Sequence, residues 1–172
     1  VCVYGNRDYD DALLEMKTLL SERGFNVVAA GAFIGEHSFS RKLASDRPDA
    51  ADIEIAEGFG RDIASRIKAI AKGESIGDFE VKGNFPYRER GQSNQISPDT
   101  TDKCTSCMIC AKACPTGAIS TEDPSEADAG KCIRCCACIK ACPESAKFFS
   151  DPSVPGAAKW LEDNFMDRKE PD

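Results

Sequence analysis

Two stretches decide how this chain is read: KCTSCMICAKACPTGA (103–118) and KCIRCCACIKACPESA (131–146). They superpose without a gap at a constant offset of 28 residues. Lys103/Lys131, four pairs of cysteines, Lys112/Lys140, Ala113/Ala141, Pro115/Pro143 and Ala118/Ala146 coincide. The segment is an internal duplication, each copy spaced C-x2-C-x2-C-x3-C-P.

That spacing has a chemical logic. A cubane [4Fe–4S] cluster presents iron at tetrahedral corners, each wanting one thiolate. Three cysteines two residues apart can wrap one loop around three corners. The fourth follows a three-residue gap that begins a helix, so it is carried away from its own loop and toward the other site. The proline after it fixes φ and removes an N–H, which stiffens the turn. A tight loop also aims backbone N–H groups inward, where they stabilise negative charge on sulfur. The expectation is two [4Fe–4S] clusters, one on Cys104, Cys107, Cys110 and Cys142, the other on Cys132, Cys135, Cys138 and Cys114. Ile109, Ile119, Ile133 and Ile139 are the expected apolar shield, a role that coincides with ordinary core packing.

Other uses of cysteine fit less well. Zinc ribbons need two C-x2-C knuckles separated by a loop of roughly a dozen residues or more. Disulfide staples spread over a core, whereas nine of the ten cysteines here fall in the 39 residues from Cys104 to Cys142. Clustered thiols point to metal and to a reducing, cytoplasmic setting. Cys136, opposite Met108 in the duplication, reads as a small buried filler, and Cys2 as a core residue of a strand.

The net charge of −7 argues against nucleic acid, whose phosphates need a basic face. No apolar run reaches the length of a membrane span. Residues 1–77 read as β–α–β–α. Val1 to Tyr4 is a strand closed by Gly5-Asn6, and Leu13, Met16 and Leu20 form a helical stripe ended by Gly24. Phe25 to Ala30 reads as the second strand, with a short extra strand around Phe33-Ile34. The second helix runs from Asp49 or Asp52 to Lys72, with a stripe of Ile53, Ala56, Phe59, Ile63, Ile67 and Ile70. Two parallel strands with helices make half of a doubly wound sheet. The chain thus reads as a fragment, its sheet completed by further N-terminal strands or by pairing between copies. Residues 78–98 read as a linker, 99–150 as the cysteine module, and 151–172 as an amphipathic helix with a charged, frayed tail.

With those residues laid out, Lys103 to Pro143 resembles the two-cluster bacterial ferredoxins. Residues 1–77, above all VCVYGNRDYDDALLEMKTLLSERGFNVVAAGAFIGEHSF, resemble the C-terminal half of a flavodoxin. Together they resemble the fused flavodoxin–ferredoxin (EFR-type) proteins of anaerobes, and the tail ending RKEPD is similar to theirs. The resemblance implies an α/β flavodoxin-like half followed by an α+β ferredoxin module. It also implies FMN, with Asn6, Asp8 and Tyr9 beside the ring in the full-length protein. The phosphate-binding loop of flavodoxins has no counterpart in this sequence, so FMN is not expected on this chain alone.

The function expected is electron transfer with redox protein partners. A flavin-dependent oxidoreductase using the clusters as an internal wire is the alternative, and clusters with a mainly structural or sensory role are a third. No residue pairs with another at a spacing suited to general acid, base or nucleophilic catalysis.

Overall fold

The computed structural model describes residues 1–89, 91 and 94–172. The chain divides into two units, one of Val1–His37, Arg41–Arg90 and Phe165–Asp172, the other of Ser38–Ser40 and Gly91–Asn164.

In the first unit, β1 (Cys2–Tyr4) and β2 (Ala32–Ile34) pair in parallel, Cys2 opposite Ala32 and Tyr4 opposite Ile34. Helix α1 (Ala12–Glu22) lies between them in sequence and α2 (Ala50–Ala71) follows. Asp49 caps α2 through a reciprocal box: its carboxylate accepts the Ala51 and Asp52 N–H groups, and the Asp52 carboxylate accepts the Asp49 N–H. The core gathers Tyr9, Leu13 and Ala32, with Cys2, Tyr4, Ala30 and Val81 packed against it.

The second strand lies beyond the apolar run expected to form it. Residues 25–30 make no strand, and Phe25 is 63% exposed. Pairing begins at Gly31, whose carbonyl accepts the Cys2 N–H at 3.0 Å, and continues through the fully buried Ala32. A Cβ on Gly31 would stand 3.2 Å from both the Phe33 and Phe59 rings, so a bare backbone suits this approach. The expected apolar stripe of α2 is only partly covered, with Ala56, Phe59, Ile63 and Ile70 half-buried. Ile53 and Ile67 are exposed and only Asp52 is buried, because a two-stranded ribbon is too narrow to cover a helix of 22 residues. Among the described residues there are two two-stranded sheets and none wider.

The chain terminus is tied down, contrary to the frayed end expected from its charge. The Asn6 side-chain amide donates to the carbonyls of Phe165 (2.7 Å) and Asp167 (2.8 Å). Ala32 and Asp172 exchange both backbone hydrogen bonds, at 2.7 and 2.9 Å, as an antiparallel pair does. Arg47 forms a buried two-pronged pair with Asp52 and donates twice to the Lys169 carbonyl at 3.0 Å. Buried polar groups need partners, and the tail supplies them.

The expected linker, 78–98, includes positions 90, 92 and 93, which lie outside the described residues. Its earlier part is fastened to α1. The Asp11 carboxylate accepts the N–H groups of Asn84 (2.8 Å) and Arg88 (2.9 Å). Gly83 sits at φ +152°, and a Cβ there would meet the Leu14 Cβ at 2.6 Å.

The second unit holds the short antiparallel pair β3 (Asp99–Thr100) and β4 (Lys147–Phe148), two five-residue helices α3 (Ile109–Ala113) and α4 (Ala137–Ala141), and α5 (Ser153–Asn164). Helix α5 buries Val154 and Leu161 and leaves Trp160 exposed. No helix among the described residues is long and apolar enough to cross a membrane.

Candidate metal centre

The duplication seen in sequence is repeated in the backbone. Ser106 and Arg134 take left-handed φ of 54° and 56°, Met108 and Cys136 take 65° and 59°, and Gly117 and Ser145 take 63° and 51°. Each pair is separated by the same 28 residues as the cysteines. Only glycine adopts this region freely, and an L-residue there costs roughly 1–2 kcal/mol. Five non-glycine residues hold it here, so something must over-determine these loops. Successive N–H groups in such turns form concavities that suit anions and iron–sulfur sites.

Each loop opens on a cavity. Cys104, Cys107, Cys110 and Cys142 line one, together with Pro124, Glu144 and Lys147. Cys114, Cys132, Cys135 and Cys138 line the other, with Ile119, Ile133, Arg134 and Cys136 among their neighbours. Both are small and partly open to solvent. In both, three thiols come from one loop and the fourth from the Cys-Pro of the other copy. All ten cysteines are free thiols. Among the described residues no three His, Cys, Asp or Glu side chains converge on a point suited to a single ion; the thiols stand around a space instead.

The fourth cysteines share one environment. The Ala118 N–H donates to Cys114 Sγ and the Ala146 N–H to Cys142 Sγ, each at 3.2 Å. Burial pushes the Cys114 thiol up, but N–H groups of Thr116, Ile119 and Ala118 and the Thr116 hydroxyl outweigh it, holding the pKa below its ordinary value. Burial likewise raises Cys142, and the N–H groups of Ala146, Lys147 and Glu144 more than offset it. Both sulfurs are thereby biased toward thiolate, the form that binds metal. Cys138 behaves differently. Burial, with Lys147 opposing it and the neighbouring cysteines reinforcing it, pushes its thiol up to about 11. Cys136 is buried, is also pushed up to about 11 by burial and then by Cys138, and sits against the second cavity with its Sγ 3.7 Å from the Arg134 carbonyl.

Of the four isoleucines expected as a shield, Ile119 is buried between Cys110 and Cys138, and Ile139 packs beside them. Ile109 and Ile133 are 41% and 61% exposed. Ile109 opens α3 between Met108 and Cys110, and Ile133 lies between Cys132 and Arg134; at these exposures neither closes a core.

One group that the repeat alignment left out is Lys147. It is 3% exposed and its Nζ has no hydrogen-bond partner. Continuing the alignment one residue past Ala118/Ala146 would have found it, because its counterpart at the same offset is Ile119. An unpaired buried ammonium beside four thiols calls for an anion in the space they enclose. A cubane held by four thiolates is one, and the donor set, the inward N–H groups and this orphan cation all fit it.

The residues expected beside a flavin ring lie in the loop after β1 and are engaged by the chain itself. Asn6 is 2% exposed and holds the tail. The Tyr9 ring is 7% exposed, edge-on to Tyr4 at 5.3 Å and beneath the Lys82 ammonium, with its hydroxyl on Asp172. Asp8 accepts from the Asp10 N–H at 2.9 Å and pairs with Lys82 at 3.3 Å.

Comparison with known proteins bears on the cysteine unit. Residues 99–120 match the 4Fe-4S binding domain family. NADH-quinone oxidoreductase subunit I of Erwinia tasmaniensis is 35% identical over 80 residues, and that of Yersinia pestis (strain Pestoides F) 32% over 80. Each match covers 44% of this chain and 44% of the relative, so the chain aligns with under half the length of these curated relatives. No solved structure matches the chain. The chain carries a ferredoxin-type 4Fe-4S region and is weakly similar to NADH-quinone oxidoreductase subunit I.

Proposed function

We propose that the chain moves single electrons through two [4Fe–4S] clusters, one held by Cys104, Cys107, Cys110 and Cys142, the other by Cys114, Cys132, Cys135 and Cys138. The observation carrying this is that each of two cavities is walled by four thiols, three local and one from the other copy. Thiols around a space suit a cluster better than they suit zinc, whose ligands close on one point at about 2.3 Å.

When bound, a cubane accepts and returns one electron without breaking a bond. The protein supplies the rest. The left-handed turns hold the three local sulfurs of each loop, and the Ala118 and Ala146 N–H groups hold the fourth. Ile119 and Ile139 keep water from the space between the sites, which lowers the local dielectric and strengthens each N–H to sulfur contact. Cys107 is the exposed thiol and marks the edge nearest solvent, where a redox partner protein would approach.

In a longer protein the first unit would be the second half of a flavodoxin-like domain, exchanging electrons with FMN. The parallel β1/β2 pair supports that reading, as do the exposed Val3, Ile53 and Ile67, which further strands and helices would cover. A flavin-dependent oxidoreductase would use the same parts.

An iron and sulfide count with an EPR spectrum of the reduced, anaerobically purified protein tests the proposal. About eight of each per chain and two interacting paramagnets are expected; zinc, or iron without sulfide, would end it. Flavin extraction from the full-length protein tests the second part, and no released flavin would refute it.

A further inference from the structure

The two cavities share the four-thiol wall but differ in buried charge at one position. Where the second has Ile119, the first has Lys147, 28 residues on. Both are 3% exposed. Every other difference in charge around the cavities lies nearer to water. Glu144 lines the first cavity but is exposed, and Arg134 lines the second but is only half-buried. Asp123 feels the Lys147 charge, yet sits at the surface and already accepts from Ser125 N–H at 2.8 Å. A charge in the interior acts through a dielectric several-fold lower than a solvated one, so the buried ammonium outweighs its exposed neighbours.

Resting on the electron-transfer reading above, we propose that Lys147 is a built-in counter-cation that makes the Cys104/Cys107/Cys110/Cys142 site easier to reduce than the duplicate loop alone would. An electron delivered by a one-electron donor protein adds one unit of negative charge beside the ammonium. No bond forms or breaks and no proton moves. The gain is unequal between the sites, because Lys147 lines one cavity and reaches the other only through the field it exerts at Cys138. The cation thus favours the electron on one member of the pair.

The test is an EPR-monitored redox titration of the anaerobic full chain, with iron and sulfide counted in each sample, for the unaltered protein, Lys147→Met and Lys147→Arg. Lys147→Met should lower one of the two midpoints by at least tenfold in the reduction constant, about 59 mV for a one-electron couple. The other midpoint should move by less than half as much, and Lys147→Arg should restore both. Midpoints that stay in place, or fall together, would overturn the proposal. Should Lys147→Met shed iron, Ile119→Lys gives the second reading: it must raise the other midpoint by a similar factor, and an unmoved midpoint overturns the proposal. An unaltered chain with no cubane iron refutes the electron-transfer reading itself. A chain with about eight iron and unresponsive midpoints refutes only the role of Lys147.

Discussion

The two units differ in what fills their centres. The first closes on Tyr9, Leu13 and Ala32 and is laced by polar contacts, among them Arg47 with Asp52 and Asn6 with the tail. The second closes on Cys110, Ile119 and Cys138, a centre in which sulfur replaces hydrocarbon and which stands between two cavities. It also carries five non-glycine residues in left-handed turns, none of them Asn or Asp. Three of the first unit's four (Asn6, Asp10 and Asp46; the other is Ala44) are residues that tolerate that region. A unit whose central cluster is two cysteines and one isoleucine depends on what its thiols bind, whereas the first unit depends on side chains already in place.

Metal removal should separate the two most sharply. Stripping iron with acid or chelator should abolish amide-exchange protection across 99–150 while residues of α1 and α2 keep theirs. Equal protection in both units afterwards would break the contrast.

A smaller and opposite effect is expected from the Arg47–Asp52 pair, whose side chains are 5% and 2% exposed. Arg47→Met should destabilise the first unit by about 3–5 kcal/mol, the cost of leaving a buried charge unpaired, without changing the iron content. The bond from Arg47 is the main reason Asp52 is held below its ordinary carboxylate value. Its folded pKa is depressed, so its contribution is present above about pH 4 and lost as pH falls through the folded value. Thermal melts below pH 4 should show the first unit weakening, and Asp52→Asn should flatten that dependence.

Smallest is a difference within the cysteine unit. Ile119→Ala, at the buried centre, should cost about 2–4 kcal/mol, while Ile109→Ala, at 41% exposure, should stay within roughly 0.5 kcal/mol. Denaturation midpoints under anaerobic conditions measure both, and similar losses would mean the two isoleucines pack alike.

The duplication and the helix stop at Gly24 were legible in the sequence, because each has a local signature, and the start of α2 was bracketed between Asp49 and Asp52. Other features have none. Serine, methionine, arginine and cysteine carry no mark of a left-handed φ, so of the three repeated turn positions only Gly117 advertised its own. The apolar run 25–30 looked like a strand, since periodicity cannot say which residues find a hydrogen-bonding neighbour; Ala32 found Cys2 on one side and Asp172 on the other. The tail looked loose because its charges were visible and its partners, Asn6, Tyr9 and Arg47, were more than a hundred residues away. Lys147 lay one residue beyond the repeat that coincided, where the two copies part.

The crossing of the fourth cysteines is the centre of this account, and an anomalous difference map at the iron edge from anaerobic crystals tests it most directly. It should show two compact four-iron groups, with Cys142 on the group held by Cys104, Cys107 and Cys110 and Cys114 on the other. Single-metal peaks, or Cys114 bound to the cluster of its own loop, would contradict it.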